Sequence, residues 1–126
     1  MTTALATASR ETEERAGPPA VWAVGEGARW VQAPGGPRID LARHGSVRLV
    51  LDTLVARRLA EPGTATSAIA LLEKAWPGER VRHESGMLRV YTAIRRLRAM
   101  GLADVLETRD DGYLLSARVA VERRDT

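Results

Sequence analysis

The hydrophobic periodicity of the chain changes twice, and this change limits the fold more than any other feature. Short apolar or alternating runs occupy residues 21–41, apolar residues recur at three- and four-residue steps over residues 47–101, and alternation returns beyond residue 104. Alternation is typical of strands with one buried face, whereas three- to four-residue spacing is typical of amphipathic helices. The 126-residue chain is therefore predicted to be an α+β protein with helices between two groups of strands.

The N-terminal strands are predicted to form a three-stranded antiparallel sheet. Three short runs, at residues 21–24, 28–32 and 38–41, are separated by Gly25-Glu26-Gly27 and Pro34-Gly35-Gly36-Pro37. Turns of this length and composition join neighbouring antiparallel strands. The first glycine pair is not a phosphate-binding loop, because the lysine and hydroxyl residue that end such a loop are missing.

Three helices are expected between the two groups of strands. Their spacing places them at about residues 47–60, 67–75 and 85–101, with Ser46 as the expected cap of the first, Thr66 or Ser67 as that of the second, and Gly101 at the end of the third. Beyond them, Asp110-Asp111-Gly112 separates two alternating runs and predicts a β-hairpin, since Asp-Gly is a strong hairpin turn signal. Residues 118–121 are a candidate for one more strand.

Composition excludes several classes of protein. There is no cysteine, which excludes disulfides, thiolate metal sites and cysteine nucleophiles. His44 and His83 lie far apart in the sequence and outside any metal-ligand spacing, and no catalytic set is apparent, so we expect neither an enzyme nor a cofactor or metal. No window approaches the ~20 apolar residues of a membrane span. Residues 1–19 are predicted to be a flexible tail without signal-peptide features, and residues 20–126 a cytoplasmic domain without a membrane partner.

The charge of the chain is basic and is carried almost entirely by arginine. The formal net charge is +3, the pI is about 10.1, and Lys74 is the single lysine among 19 basic residues. The planar fork of donors on arginine suits nucleic acid. A G·C-rich genome produces the same bias without any function, so the positions of the arginines have to decide between these interpretations.

The third predicted helix concentrates these arginines on one side. At ~100° per residue, its apolar residues fall on one face and its basic and small residues on the other. Four arginines and no acidic residue lie between residues 85 and 98. The predicted buried face comprises Met87, Val90, Ile94, Leu97 and Gly101, and the predicted outer face comprises Arg89, Thr92, Arg96 and Ala99, flanked by Ala93 and Arg95.

Three ordered motifs resemble the effector domain of OmpR/PhoB-type bacterial transcription regulators. They are Leu71-Leu72-Glu73-Lys74-Ala75-Trp76, then the segment from Val90 to Arg98, then Gly112-Tyr113-Leu114. The resemblance covers residues 21–119 and implies a winged helix-turn-helix with an N-terminal sheet and a hairpin wing. It also implies sequence-specific binding of double-stranded DNA and transcription regulation, with the third helix in the major groove.

The resemblance also assigns roles to single residues. It implies that Thr92, Arg95 and Arg96 face bases or phosphates and that Arg98 contacts the DNA backbone or braces the helix. Arg89 joins this set from its position on the same helix face. The full predicted DNA-binding set is Trp76, Arg89, Thr92, Arg95, Arg96, Arg98 and Arg109, with Trp76 on a phosphate and Arg109 in the minor groove.

The loop before the third helix is a predicted partner site. In the family this loop contacts RNA polymerase, so Arg80, Arg82 and His83 are candidates for binding that enzyme or another regulatory protein. The 19-residue tail is too short for a receiver domain, so we expect a stand-alone domain. A single domain makes few phosphate contacts, so we expect a homodimer, tandem binding or help from another protein.

The hairpin departs from the family pattern. Family wings are usually basic, whereas this one carries Glu107, Asp110 and Asp111, which phosphate repels. The alternative interpretation is therefore a winged helix used as a protein–protein interaction module. The arginine face favours DNA, and the acidic hairpin favours this alternative.

Overall fold

The computed structural model describes residues 20–78 and 83–125, without the side chain of His83. The predicted tail, residues 1–19, lies outside the described residues. The described chain is an α+β protein with three helices and two sheets. Its strands are β1 (Val21–Gly25), β2 (Trp30–Gln32), β3 (Arg38–Asp40), β4 (Leu106–Arg109), β5 (Gly112–Leu115) and β6 (Ala120–Arg124), and its helices are α1 (Gly45–Ala60), α2 (Ala68–Ala75) and α3 (His83–Leu97).

The larger sheet has four strands in the order β3-β2-β1-β6 and is mixed. The three N-terminal strands are antiparallel neighbours, as predicted. The prediction of a three-stranded sheet is wrong, because β6 adds to the free edge of β1 in parallel orientation. Backbone groups at a sheet edge need partners, and the C-terminal segment supplies them from almost a hundred residues away in the sequence.

Ionic and backbone contacts fix β6 in register. Val21 lies opposite Ala120 and Gly25 opposite Arg124. The side chain of Arg123 donates to the carbonyl oxygen of Gly25 at 3.3 Å and forms an ion pair with Asp52 of α1 at 2.8 Å. The C-terminal strand is thereby attached both to the sheet and to the first helix.

The helix ends follow local signals with one exception. The side chain of Ser67 accepts a hydrogen bond from the backbone N–H of Ala70 at 3.1 Å, which is the expected cap of α2. α1 begins at Gly45 without a side-chain cap, so the expected capping role of Ser46 is wrong. α3 ends in a wider π-type turn over Arg98–Leu102, in which Gly101 has a positive φ of 125°.

The hairpin β4–β5 packs on the segment that joins α1 to α2. Thr66 and Tyr113 exchange two backbone hydrogen bonds, of 2.8 and 3.0 Å. Next to this bridge, Gly112 has a φ of 148°, and a Cβ on Gly112 would lie 2.1 Å from the carbonyl oxygen of Thr66. Only glycine fits this position, which explains in physical terms the glycine of the Gly112-Tyr113-Leu114 motif.

Aliphatic side chains of the helices and of both sheets form the core. Every α3 residue predicted to be buried is buried or half-buried except Gly101, which is exposed. Trp30 is the one tryptophan of the three that is buried among the described residues, and its ring lies over Gly25. The largest fully buried side chains are Val24, Val31, Leu41, Val50, Leu51, Leu54, Val55, Leu71, Val90, Ile94, Leu97 and Leu102. None of the described helices is long and apolar enough to cross a membrane.

Candidate nucleic-acid interface

α3 has one buried and one exposed side. Val90, Ile94 and Leu97 are fully buried, whereas Thr92, Arg95 and Arg96 are exposed. The outward orientation expected of Arg95 and Arg96 is therefore confirmed. Single-turn steps along this face place Thr92 and Arg96 above one another, since residues four apart share a helix face.

Two neighbours on α3 differ from the expected arrangement. Ala93, predicted to flank the outer face, is 2% exposed and belongs to the core, because its small side chain packs within the hydrophobic cluster. Arg89, predicted on the outer face, is half-buried. The exposed face is therefore narrower than the sequence predicted, and it also carries Leu88 and Tyr91.

Arg98 fixes the hairpin to the end of α3. Its guanidinium donates to the carbonyl oxygen of Leu106 at 2.9 Å and to the side-chain oxygen of Thr108 at 2.7 Å. These two acceptors lie on β4, so the side chain spans from the end of α3 to the hairpin. Of the two roles implied for Arg98, the structure places the side chain in the bracing position.

A cleft of about 750 Å³ lies between the outer face of α3 and the start of α1. Trp76, at the end of α2, lines this cleft and also packs against the core. Thr92 and Arg96 of the predicted set line it as well, together with Arg89. The structure thus brings four residues of the predicted set to one concave surface.

Sequence reasoning missed the contribution of α1 to this cleft. Arg43 and His44, directly before α1, are exposed and also line this cleft. Two basic residues at a helix start were visible in the sequence, but their position in this cleft depends on helix packing, which has no local signal.

Arg109 is engaged within the hairpin. Its guanidinium pairs with the carboxylate of Glu107 at 2.6 Å on the same strand. This hydrogen bond and a second one from the side chain of Ser116 hold the pKa of Glu107 below its usual range. Glu107 and Arg109 neutralise one another, so the excess negative charge of the hairpin is at Asp110 and Asp111.

The acidic hairpin turn lies beside an exposed apolar group. Ile69 of α2 is 51% exposed, and it lines a hollow of about 310 Å³ together with Met87, Asp110 and Asp111. Arg109 also borders this hollow. The hollow contains none of the residues of the basic cleft, so the surface presents two regions of different charge.

The predicted partner loop is outside what the structure describes. Arg80 and Arg82 fall in the undescribed stretch 79–82, and His83 is described only as the first residue of α3. Their assignment to RNA polymerase or a regulatory protein stays a prediction.

Comparison with protein-family models, with curated proteins and with solved structures gives no match for this chain.

Proposed function

We propose that this protein is a winged helix-turn-helix domain that binds double-stranded DNA and regulates transcription, with α3 in the major groove. The observation that carries the proposal is the exposed side of α3, where Thr92, Arg95 and Arg96 face outward. No acidic residue lies between residues 85 and 98. A major groove is wide enough for one helix, and arginine donates two hydrogen bonds to guanine or binds a phosphate.

The elements around α3 support this proposal. α2 directly precedes α3 in the order of elements, and the hairpin follows α3 and is held to it by Arg98. The bridge between Thr66 and Tyr113 adds a third segment to the hairpin. A winged helix-turn-helix requires two successive helices followed by a β-hairpin. In this protein a third segment pairs with that hairpin.

The basic cleft extends the proposed interface beyond α3. Arg43 lines the same cleft as Arg96, so a helix inserted into a groove brings a second cationic side chain with it as a candidate contact for the adjacent phosphates. Contacts of this kind position a protein on duplex without reading its sequence. We accordingly assign base contacts to α3 and phosphate contacts to the start of α1.

The hairpin has a smaller part in the proposed interface than the family resemblance implies. Arg109 is paired with Glu107, and Asp110 and Asp111 repel phosphate at the turn. We therefore propose that α3 and the start of α1 supply the DNA contacts and that the hairpin holds α3 in place.

The test is the affinity of a labelled duplex of mixed sequence, measured by fluorescence anisotropy. Arg96→Ala is expected to weaken binding by roughly 1–3 kcal/mol, because it removes a charged contact of the inserted helix. The matched control is Arg124→Ala, which removes an exposed arginine of β6 that is paired with Glu122 at 2.6 Å. Equal affinity of the Arg96 variant and the wild type would contradict the proposal.

The hollow beside the hairpin favours one alternative function, that of a protein-interaction module. Exposed Ile69 next to Asp110 and Asp111 suits a partner with basic and apolar side chains, such as a segment of RNA polymerase or of another regulator. This alternative predicts that binding of such a partner survives Arg96→Ala and is lost in Ile69→Ser.

A further inference from the structure

We infer that the cleft between α1 and α3 is a binding site for a small organic anion with a planar apolar ring. The observation behind this inference is the lining of the cleft, which combines cationic and apolar side chains in a concave space. Its volume, about 750 Å³, lies within the usual ~300–1,000 Å³ of small-molecule sites. A surface that bound only DNA backbone has no need for such a concave apolar space.

The charge of the lining specifies an anion. Arg43 and Arg96 are both exposed and line the cleft from different elements, Arg43 from the residues before α1 and Arg96 from α3, and His44 follows Arg43 in the sequence. None of the described residues that line the cleft is acidic, and the structure gives neither Arg43 nor Arg96 a hydrogen bond or ion pair within the described chain. Two guanidinium groups in a cleft whose described lining residues include no carboxylate attract a phosphate or carboxylate, which each of them binds in bidentate geometry.

The apolar part of the lining specifies a ring. Trp76 is half-buried at the cleft, the buried Val47 and Ala93 form its floor, and Leu88 is 63% exposed at its edge. A leucine this exposed leaves apolar surface in water, and a flat ligand bound in the cleft would cover apolar surface of the lining. Aromatic rings stack on an indole, so the shared chemistry is a planar ring carrying a phosphate or carboxylate.

Occupation of the cleft has a consequence for the proposed function. Thr92 and Arg96 belong both to the cleft and to the proposed DNA-binding face, so ligand and duplex compete for them. This regulatory part of the inference rests on the proposed function, whereas the existence of the site does not. Substitution of Arg95 distinguishes DNA binding from ligand binding, because Arg95 is exposed on the same helix but does not line the cleft.

The experiment is a titration followed by the indole N–H resonance of Trp76, which the Trp76→Phe variant identifies. The probes are naphthyl phosphate, naphthol as the ring without the anion, and inorganic phosphate as the anion without the ring. Naphthyl phosphate is expected to shift this resonance and to bind at least about tenfold more tightly than either part alone. Adenosine monophosphate and naphthoate, titrated in the same way, distinguish a nucleotide from an aromatic carboxylate, and tighter binding of either supports the site.

Variants locate the binding and separate it from DNA binding. We expect the affinity for naphthyl phosphate to fall by about tenfold in Arg43→Gln and in Arg96→Gln. We expect the same affinity to be unchanged in Arg95→Gln and in Arg124→Gln. The site is disproved if naphthyl phosphate does not bind, if inorganic phosphate binds equally well, or if the Arg43 and Arg96 variants bind it like the wild type.

Duplex binding by the same variants then tests the other proposal independently. If naphthyl phosphate binds as expected but duplex does not bind at all, the proposed function fails and the site stands. If duplex binds and is weakened by Arg95→Gln while naphthyl phosphate does not bind, the site fails and the proposed function stands. If both bind, saturating naphthyl phosphate is expected to displace the duplex, and continued binding of both together would contradict the regulatory part.

Discussion

At the scale of single residues, the arginines of this protein divide into structural and exposed groups. Arg48 donates to the carbonyl oxygen of Gly27 at 2.6 Å, Arg58 to that of Ser116 at 3.1 Å, and Arg98 to that of Leu106 at 2.9 Å. Arg95 and Arg96 are exposed instead, with the guanidinium of Arg95 over the ring of Tyr91 at 5.9 Å from its centroid. Structure therefore explains part of the bias toward arginine, because guanidinium groups donate hydrogen bonds to backbone carbonyl oxygens where two elements meet.

Substitution of Arg98 tests this division. Arg98→Ala is expected to lower the free energy of unfolding by about 1.5–3 kcal/mol, since it removes charged hydrogen bonds to Leu106 and Thr108. Arg95→Ala, on the same helix end, is expected to change it by less than about 0.5 kcal/mol, because its side chain is exposed. Urea unfolding of both variants measures the difference, and equal losses would show that Arg98 is not a brace.

At the scale of elements, local signals predicted most of what the structure contains. The cap at Ser67, the Asp-Gly hairpin turn and the apolar spacing of Val90, Ile94 and Leu97 each depend on residues close in sequence. The burial of Ala93 had no such signal, because a small side chain suits both a closely packed helix contact and an exposed face. The position of Arg43 in the cleft lined by α3 could not be predicted from the sequence either, since it depends on how two helices pack.

The crossing of the hairpin over the α1–α2 segment yields a prediction at this scale. Gly112→Ala places a Cβ 2.1 Å from the carbonyl oxygen of Thr66, at a positive φ. Gly35→Ala is the matched control, because Gly35 also has a positive φ, of 72°, but has no atom within 4 Å of the added Cβ. We expect Gly112→Ala to destabilise the fold by at least about 2 kcal/mol more than Gly35→Ala, measured by urea unfolding. Similar losses for both variants would show that the crossing is not tight.

At the scale of the whole molecule, β6 connects the C-terminal end of the described chain to its beginning. It completes the mixed sheet beside β1 and reaches α1 through the ion pair of Arg123 with Asp52. Residues 118–121 are a candidate strand in the sequence, whereas the observed strand runs from Ala120 to Arg124 and its partner could not be predicted. A parallel pairing over so long a sequence separation leaves no local pattern, and for this reason the four-stranded sheet could not be predicted.

A double-mutant cycle measures how strongly β6 is coupled to α1. The side chains of Asp52 and Arg123 are 35% and 27% exposed, so we expect a coupling energy of about 0.5–1 kcal/mol from Asp52→Ala, Arg123→Ala and the double variant. The comparison pair is Glu122 and Arg124, which are close to half exposed and adjacent on one strand. Their coupling is expected to be near zero, and a larger value for this pair than for Asp52 and Arg123 would contradict the assigned role.

The central claim is that the exposed arginines of α3 bind double-stranded DNA, and the most direct test is duplex affinity as a function of salt concentration. The wild type is compared with the Arg95→Ala/Arg96→Ala double variant, whose stability is expected to match the wild type because both side chains are exposed. The logarithm of the wild-type binding constant should fall steeply with the logarithm of salt concentration, and the double variant should bind more weakly, with a slope shallower by about 2. Binding that does not respond to salt, or an identical slope and affinity for both proteins, would contradict the claim.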